Sequence, residues 1–196
     1  SAVCLLAEAD LCAVMIRLDK PQDEYAALQK EADARDHRII GKNQGLFSQN
    51  ELAPGSWFFS KEGAIVYNGL IEMMRQQYRF RGYDEVISPN LYNLKIFKIS
   101  GHYQNYFKNM FMLRDGDSGM ALKPMNCPGH YLIFKSKLQS YKDLPLRLAE
   151  FGVLHRNELS GALSGLSRCR RFQVDDCHIF CAESQIRDEI MDNLNF

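Results

Sequence analysis

The chain has 196 residues, enough for one domain with a hydrophobic core and too few for two comfortable ones. Lys plus Arg (24) equals Asp plus Glu (24), so bulk charge advertises no nucleic-acid partner, although binding depends on where charge is placed and not on its sum. A 46% hydrophobic, 24% charged composition is that of an ordinary soluble globular protein, and no apolar run approaches the ~20 residues of a membrane helix.

In chain order, Ser1 to Ile16 is fairly apolar but lacks a basic start and carries Glu8 and Asp10, which makes a poor signal peptide. Residues 1–20 read as a linker or unrelated leader, and the initial Ser points to a missing or processed start. Six cysteines (4, 12, 127, 169, 177 and 181) contain no CxxC pair, so reduced thiols are expected. Pro21 to Arg35 favours a helix, with the proline in its first turn, and Asp36 to Asn50 reads as a polar connector. Ala53-Pro54-Gly55 signals a turn. Gly63 to Arg81 is a strong helix: Val66, Leu70, Met73, Met74 and Tyr78 recur at spacings of three and four, and Gly82 stands at the capping position. Tyr83 to Pro89 reads as a strand closed by proline. Leu122 to Lys137 holds a Pro-Met-Asn-Cys-Pro-Gly turn leading into a second apolar helix. Leu146 to His155 and Cys169 to Cys181 read as strands joined by the small-residue loop Leu159 to Ser167, and a last helix starts with Ser184 as its cap. The expected class is α+β with a mainly antiparallel sheet.

Side chains two apart on a strand share a face. One face of the last strand would present Arg168, Arg170, Phe172, Val174, Asp176 and His178, while Arg156 and Glu158 share a face on the strand before it. Paired, the two strands would offer arginines, an aromatic ring, carboxylates and an imidazole. Arginine forks bind phosphate oxygens and neutralise charge developing in nucleotidyl transfer. An aromatic face can stack on a base, a carboxylate can pair with an amino group, and an imidazole can ligate a metal. A solvated strand face carrying unrelated charges has the same alternation, and parity alone does not separate the two.

The run from Arg147 to Phe180 resembles motif 2 of threonyl-tRNA synthetases, a class II family. Arg35-Asp-His-Arg38, Ala53-Pro-Gly-Ser56, Glu85-Val-Ile-Ser-Pro89, Ser100-Gly-His102 and Lys123-Pro-Met-Asn-Cys-Pro-Gly-His130 match the family in order. The resemblance covers residues 21–196. It implies the class II synthetase fold, an antiparallel sheet flanked by helices, dimeric through a motif 1 centred on Glu85 to Pro89. It also implies ATP-dependent activation of threonine to threonyl-adenylate and transfer to tRNA(Thr), with ATP accompanied by Mg2+. By the same resemblance Arg156 is catalytic, holding the ATP α-phosphate and the threonine carboxylate. Glu158 would contact the adenine amino group, Arg168 the γ-phosphate, Phe172 the adenine ring and Asp176 the threonine amino group. Cys127 and His178 match two ligands of a Zn2+ ion that reads threonine. His37, His102, His130 and His155 receive no such role.

Some features depart from the family. Residues 21–196 hold motifs 1 and 2 but no motif 3, so the piece is expected to be an incomplete catalytic domain, inactive by itself. Val174 stands where the family usually has glutamine, and Phe97 and Tyr103 where it usually has tryptophan. The alternative reading is a truncated, catalytically inactive synthetase-like module for binding or dimerisation. The expected compartment is the cytoplasm, with the mitochondrion left open.

Overall fold

The computed structural model describes residues 22–113 and 119–196, so the expected leader, Cys4, Cys12 and Pro21 lie outside the described residues. Helices α1 (Gln22–Ala34) and α2 (His37–Asn43) belong to a unit ending at Gln44. Helix α2 corrects the expected connector over 36–50. The Asp36 carboxylate accepts the backbone N–H of Arg38 at 2.8 Å, and this cap starts a helix where composition suggested only loop.

The second unit runs from Gly45 to Phe196. Strands β1 (Phe47–Ser48) and β2 (Phe58–Phe59) pair antiparallel around the predicted turn. Helix α3 (Lys61–Phe80) follows, with the Ser60 hydroxyl accepting the Gly63 N–H at 3.0 Å. Gly63 is required by its surroundings: a Cβ there would lie 1.9 Å from the Leu46 carbonyl oxygen. At the far end Gly82 takes φ +72°, which lets the Tyr83 N–H reach the Tyr78 carbonyl at 2.9 Å, the cap expected from sequence. Of the apolar stripe on α3, Tyr78 is buried while Val66, Leu70 and Met73 stay exposed among the described residues.

One three-stranded sheet has the order β3-β7-β8, from β3 (Asp84–Glu85), β7 (Leu146–His155) and β8 (Arg171–Phe180). β7 and β8 pair antiparallel along their whole length, and β3 adds to β7 in parallel. β3 is shorter than the predicted strand, although the Val86 N–H still bonds the Ala149 carbonyl at 2.8 Å. A second antiparallel sheet, β4-β6-β5, comprises β4 (Leu91–Asn93), β5 (Met112–Leu113) and β6 (Met120–Leu122). With α4 (Leu94–Ile99) and α5 (His102–Tyr106) it encloses a core of Phe97, Met110 and Ala121, against which Tyr103 packs. Helix α6 (Cys127–Lys135) begins after the Pro-Met-Asn turn, and α7 (Ile186–Leu194) ends the chain. Ser184 does not cap α7: it lies inside the 3-10 turn Glu183–Gln185, where the Gln185 side chain accepts the Ala182 N–H at 2.9 Å.

β8 has two working faces. Its odd-numbered residues meet α3 and the core: Tyr67 donates to Gln173, Tyr78 donates to Asp175, and Cys177 and Ile179 pack on Tyr78, Tyr83 and Ala149. Its even-numbered residues meet the turn before α6 and α6 itself. Asp176 bonds Asn126, His178 meets His130, and Phe180 stacks on Phe134 at 4.2 Å between ring centroids. The parity reading therefore holds for Phe172, Asp176 and His178.

Candidate active site

Parity stops at the strand ends. Arg156 and Glu158 lie beyond β7, and Arg168 and Arg170 precede β8, so their expected placement within the strands is corrected. The chain between the strands instead forms a folded loop, with a 3-10 turn at Ser160–Ala162 and a bridge between Ser164 and Arg168. This loop still carries Arg156 to the site. The Arg156 N–H bonds the Arg170 carbonyl at 2.8 Å, its Nε donates to the Pro124 carbonyl at 3.2 Å, and its guanidinium carbon lies 5.1 Å from the Phe172 ring centroid. Glu158 is buried and its Oε2 lies 3.3 Å from Nε of the exposed Arg168. Arg170 serves the fold: it donates to the carbonyls of Glu158 and Pro54 and to Ser160 Oγ, clamping the loop to the Pro54-Gly55 turn.

At the other end of the face, Cys127 opens α6 with its thiol half-buried. Burial, with the Asp176 charge second, pushes that thiol above its ordinary pKa. Asn126, fully buried, donates to Asp176 Oδ2 at 3.2 Å and fixes that carboxylate. His178 has its pKa lowered, chiefly by burial. Its Nδ1 lies 2.8 Å from Nδ1 of His130, whose Nε2 lies 2.9 Å from Glu150 Oε2. Glu150 is 3% exposed, and its Oε1 also accepts the Lys123 ammonium and the Ser88 N–H, each at 2.9 Å. Burial alone would raise the Glu150 pKa. The hydrogen bonds from His130, the Ser88 backbone, Lys123 and the Ser88 hydroxyl outweigh it and hold the carboxyl down at about 2.

Lys123, Asn126, His130 and Glu150 are the parts that sequence reasoning missed. His130 had one signal, lying three residues after Cys127 and so one turn along the same helix. Glu150 had none, because its partners come from positions 88, 123 and 130.

Among the described residues no group of three or more His, Cys, Asp and Glu side chains converges as a metal cage. Cys127 and His178 are a thiol and an imidazole, the donor types zinc takes. The contact of His178 Nδ1 with His130 leaves Nε2 as its free donor, so these two residues fit as part of a zinc site.

An aromatic ring beneath a guanidinium, with the Glu158–Arg168 ion pair at one end and a fixed carboxylate at the other, suits a planar base, a polyphosphate and an ammonium group. Residues 106–195 match the sequence model of the tRNA synthetase class II core domain (G, H, P, S and T). Over these residues the chain is thus similar to the class II aminoacyl-tRNA synthetases. It is 56% identical over 173 residues to human cytoplasmic threonine–tRNA ligase 1, covering 88% of this chain and 24% of that protein. The cytoplasmic threonine–tRNA ligase of Saccharomyces cerevisiae is 54% identical over 177 residues, covering 90% and 24% respectively. The crystal structure of the RNA binding domain of threonyl-tRNA synthetase from Cryptosporidium parvum superposes with a TM-score of 0.80 at 51% identity, over 83% of this chain and 41% of that one. Within the class, then, the likeness is to threonyl-tRNA synthetases, and the chain spans about a quarter of the length of the relatives it matches.

Proposed function

We propose that the protein carrying this segment is a threonine–tRNA ligase, and that these residues bind ATP and threonine for the activation step. The observation that carries the reading is the single face on which Arg156 lies over Phe172 while Asp176 and His178 follow at the strand spacing. Adenine would stack on Phe172, with its amino group donating to Glu158 and the γ-phosphate taken by Arg168. Binding ATP would then exchange the Glu158–Arg168 pair for two contacts to the nucleotide. A threonine carboxylate oxygen would attack the α-phosphorus, the bond from that phosphorus to the bridging oxygen would break, and pyrophosphate would leave; Mg2+ bound with ATP would supply charge neutralisation at the phosphates. Arg156 would neutralise the charge gathering at the α-phosphate, where a preorganised cation contributes most. Asp176, steadied by Asn126, would hold the threonine ammonium. The threonyl group then passes to a hydroxyl at the 3′ end of tRNA(Thr), with the loop Leu159 to Ser167 against the acceptor end.

Cys127 and His178 would hold Zn2+, which when bound supplies a Lewis-acid position for the threonine amino and hydroxyl groups. Valine has no hydroxyl to offer, so a polar site rejects it more strongly than an apolar pocket would. Dimerisation would use Glu85 to Pro89, where Ile87 is exposed, together with the open stripe on α3. The compartment suggested by the two cytoplasmic relatives is the cytoplasm.

The test is threonine-dependent ATP–pyrophosphate exchange by the full-length protein. Exchange with threonine, little with valine, and a loss of at least 100-fold in Arg156→Ala are expected, the last from the size of a single electrostatic contact to the transition state. A full-length protein that performs no exchange would favour the inactive binding module.

A further inference from the structure

The buried chain Lys123–Glu150–His130–His178 touches neither nucleotide nor amino acid in the reading above, yet it ends on a residue assigned to zinc. All three inner members are nearly sealed from solvent: Lys123 is 1% exposed, His130 0% and Glu150 3%. A buried salt bridge of this kind is poor evidence for stability, because desolvation offsets most of its Coulomb energy. Its hydrogen-bond polarity is more informative.

Glu150 is surrounded by donors. Oε1 receives the Ser88 N–H and Lys123 Nζ, and Oε2 receives the Ser88 hydroxyl at 2.8 Å. An ionised carboxylate can only accept, so His130 must donate to it from Nε2. A neutral His130 then has a lone pair at Nδ1, and the 2.8 Å contact is satisfied by the Nδ1–H of His178. That places the lone pair of His178 on Nε2. With both imidazoles neutral, each link leaves one arrangement for the next, and the last atom is a metal donor.

Resting on the reading of Cys127 and His178 as zinc ligands, we propose that Glu150 and His130 are positioning residues that lock His178 in the tautomer able to bind metal through Nε2. Outer partners of this kind orient a ligating imidazole and raise its donor strength, and their loss costs about 10- to 100-fold in metal affinity.

Two near-isosteric substitutions test the polarity without emptying the core. In Glu150→Gln the carbonyl oxygen must stay on Lys123 and Ser88, which puts the amide NH2 where Oε2 was. That group donates to His130 Nε2, His130 then donates from Nδ1, and His178 carries its proton on Nε2, where metal would bind. His130→Gln keeps a donor for Glu150 and an acceptor for His178 on neighbouring atoms. The measurement is Zn2+ affinity of the full-length protein by competition with a chromophoric chelator, with the absorption bands of Co2+ as a second signature.

Wild type is expected to bind one equivalent and Cys127→Ser to lose it. Glu150→Gln should bind about 10- to 100-fold more weakly with altered Co2+ bands, and His130→Gln should stay within a few-fold of wild type. If Glu150→Gln fails to fold, His130→Leu, which removes the acceptor and keeps an apolar side chain, should show the same loss. Wild-type affinity and Co2+ bands in Glu150→Gln or in His130→Leu would overturn the relay while leaving the zinc reading standing. A wild type that takes up no metal, or a Cys127→Ser variant that binds as well as wild type, would overturn the zinc assignment itself and the relay with it.

Discussion

Gly152 sits at the centre of β7, across from Val174, and its missing side chain is what gives Asn126 room. A Cβ at this position would lie 2.2 Å from Asn126 Oδ1, 2.6 Å from Nδ2 and 2.7 Å from Cγ. The backbone there is extended and takes alanine without strain, so the effect of Gly152→Ala is confined to that clash. To restore ordinary contact in a close-packed interior the fully buried amide must retreat by about 1 Å. Its 3.2 Å bond to Asp176 does not survive such a shift, and a buried polar group left unpaired costs about 1–3 kcal/mol. If Asp176 holds the threonine ammonium, that range becomes a loss of roughly 5- to 150-fold in kcat/KM for threonine. The KM for ATP should stay near wild type, since Phe172, Glu158 and Arg168 are untouched. The decisive assay is a double-mutant cycle in pyrophosphate exchange with Gly152→Ala, Asn126→Ala and the pair. Once Asn126 is truncated the new methyl meets nothing from that amide, so the double variant should be no worse than Asn126→Ala alone. Losses that simply add, or an equal rise in both KM values, would refute the reasoning.

Other expectations follow from the same geometry. The folded Glu150 carboxyl titrates at about 2 against an ordinary 4.5, so it stabilises the fold above pH 4.5 and that contribution drains away as pH falls toward 2. The gap corresponds to roughly 3 kcal/mol, and thermal melts of Glu150→Gln between pH 7 and 3.5 should show a shallower acid decline than wild type. Removing the ammonium in Lys123→Met strands a buried carboxylate and should destabilise by about 3–5 kcal/mol, read as a lower Tm; an unchanged Tm would mean that the pair is absent in solution. Two glycines of α3 should diverge: Gly63→Ala meets the Leu46 carbonyl and lowers Tm, whereas Gly69→Ala, with nothing within 4 Å, gains up to about 1 kcal/mol of helix propensity. Val174→Gln restores an amide on the α6-facing side of β8 and should lower the threonine KM, by up to about tenfold for one hydrogen bond; no change would place that position outside the substrate's reach.

What the sequence made legible was periodic. The 3.6-residue rhythm of α3 with its glycine cap, and the two-residue alternation of β8, were both readable because each residue's neighbours lie close along the chain. The alternation even separated the odd residues that hold the core from Phe172, Asp176 and His178. It failed where the strand ended: Arg168 and Arg170 stood on the predicted face but belong to a loop, and Arg170 is consumed by clamping that loop. The cap at Asp36 was missed for the opposite reason, a short helix resting on a single side-chain acceptor and not on a stripe. Glu150 and Lys123, 27 positions apart, meet only because β7 passes the end of β6, and no local pattern encodes that.

The division of β8 into two faces has a consequence for how this segment can change by insertion and deletion. A single residue gained or lost inside β7 or β8 would hand the partners of α3 to α6 and the partners of α6 to α3, exchanging Tyr78's acceptor for the anchors of the site in one step. The connection between the strands carries no such constraint along its exposed stretch, where Leu159, Ser160 and Gly161 lead outward. Length variation among descendants of this chain should therefore collect at Leu159 to Gly161, and the two ten-residue strands should be inherited at fixed length while their individual side chains drift.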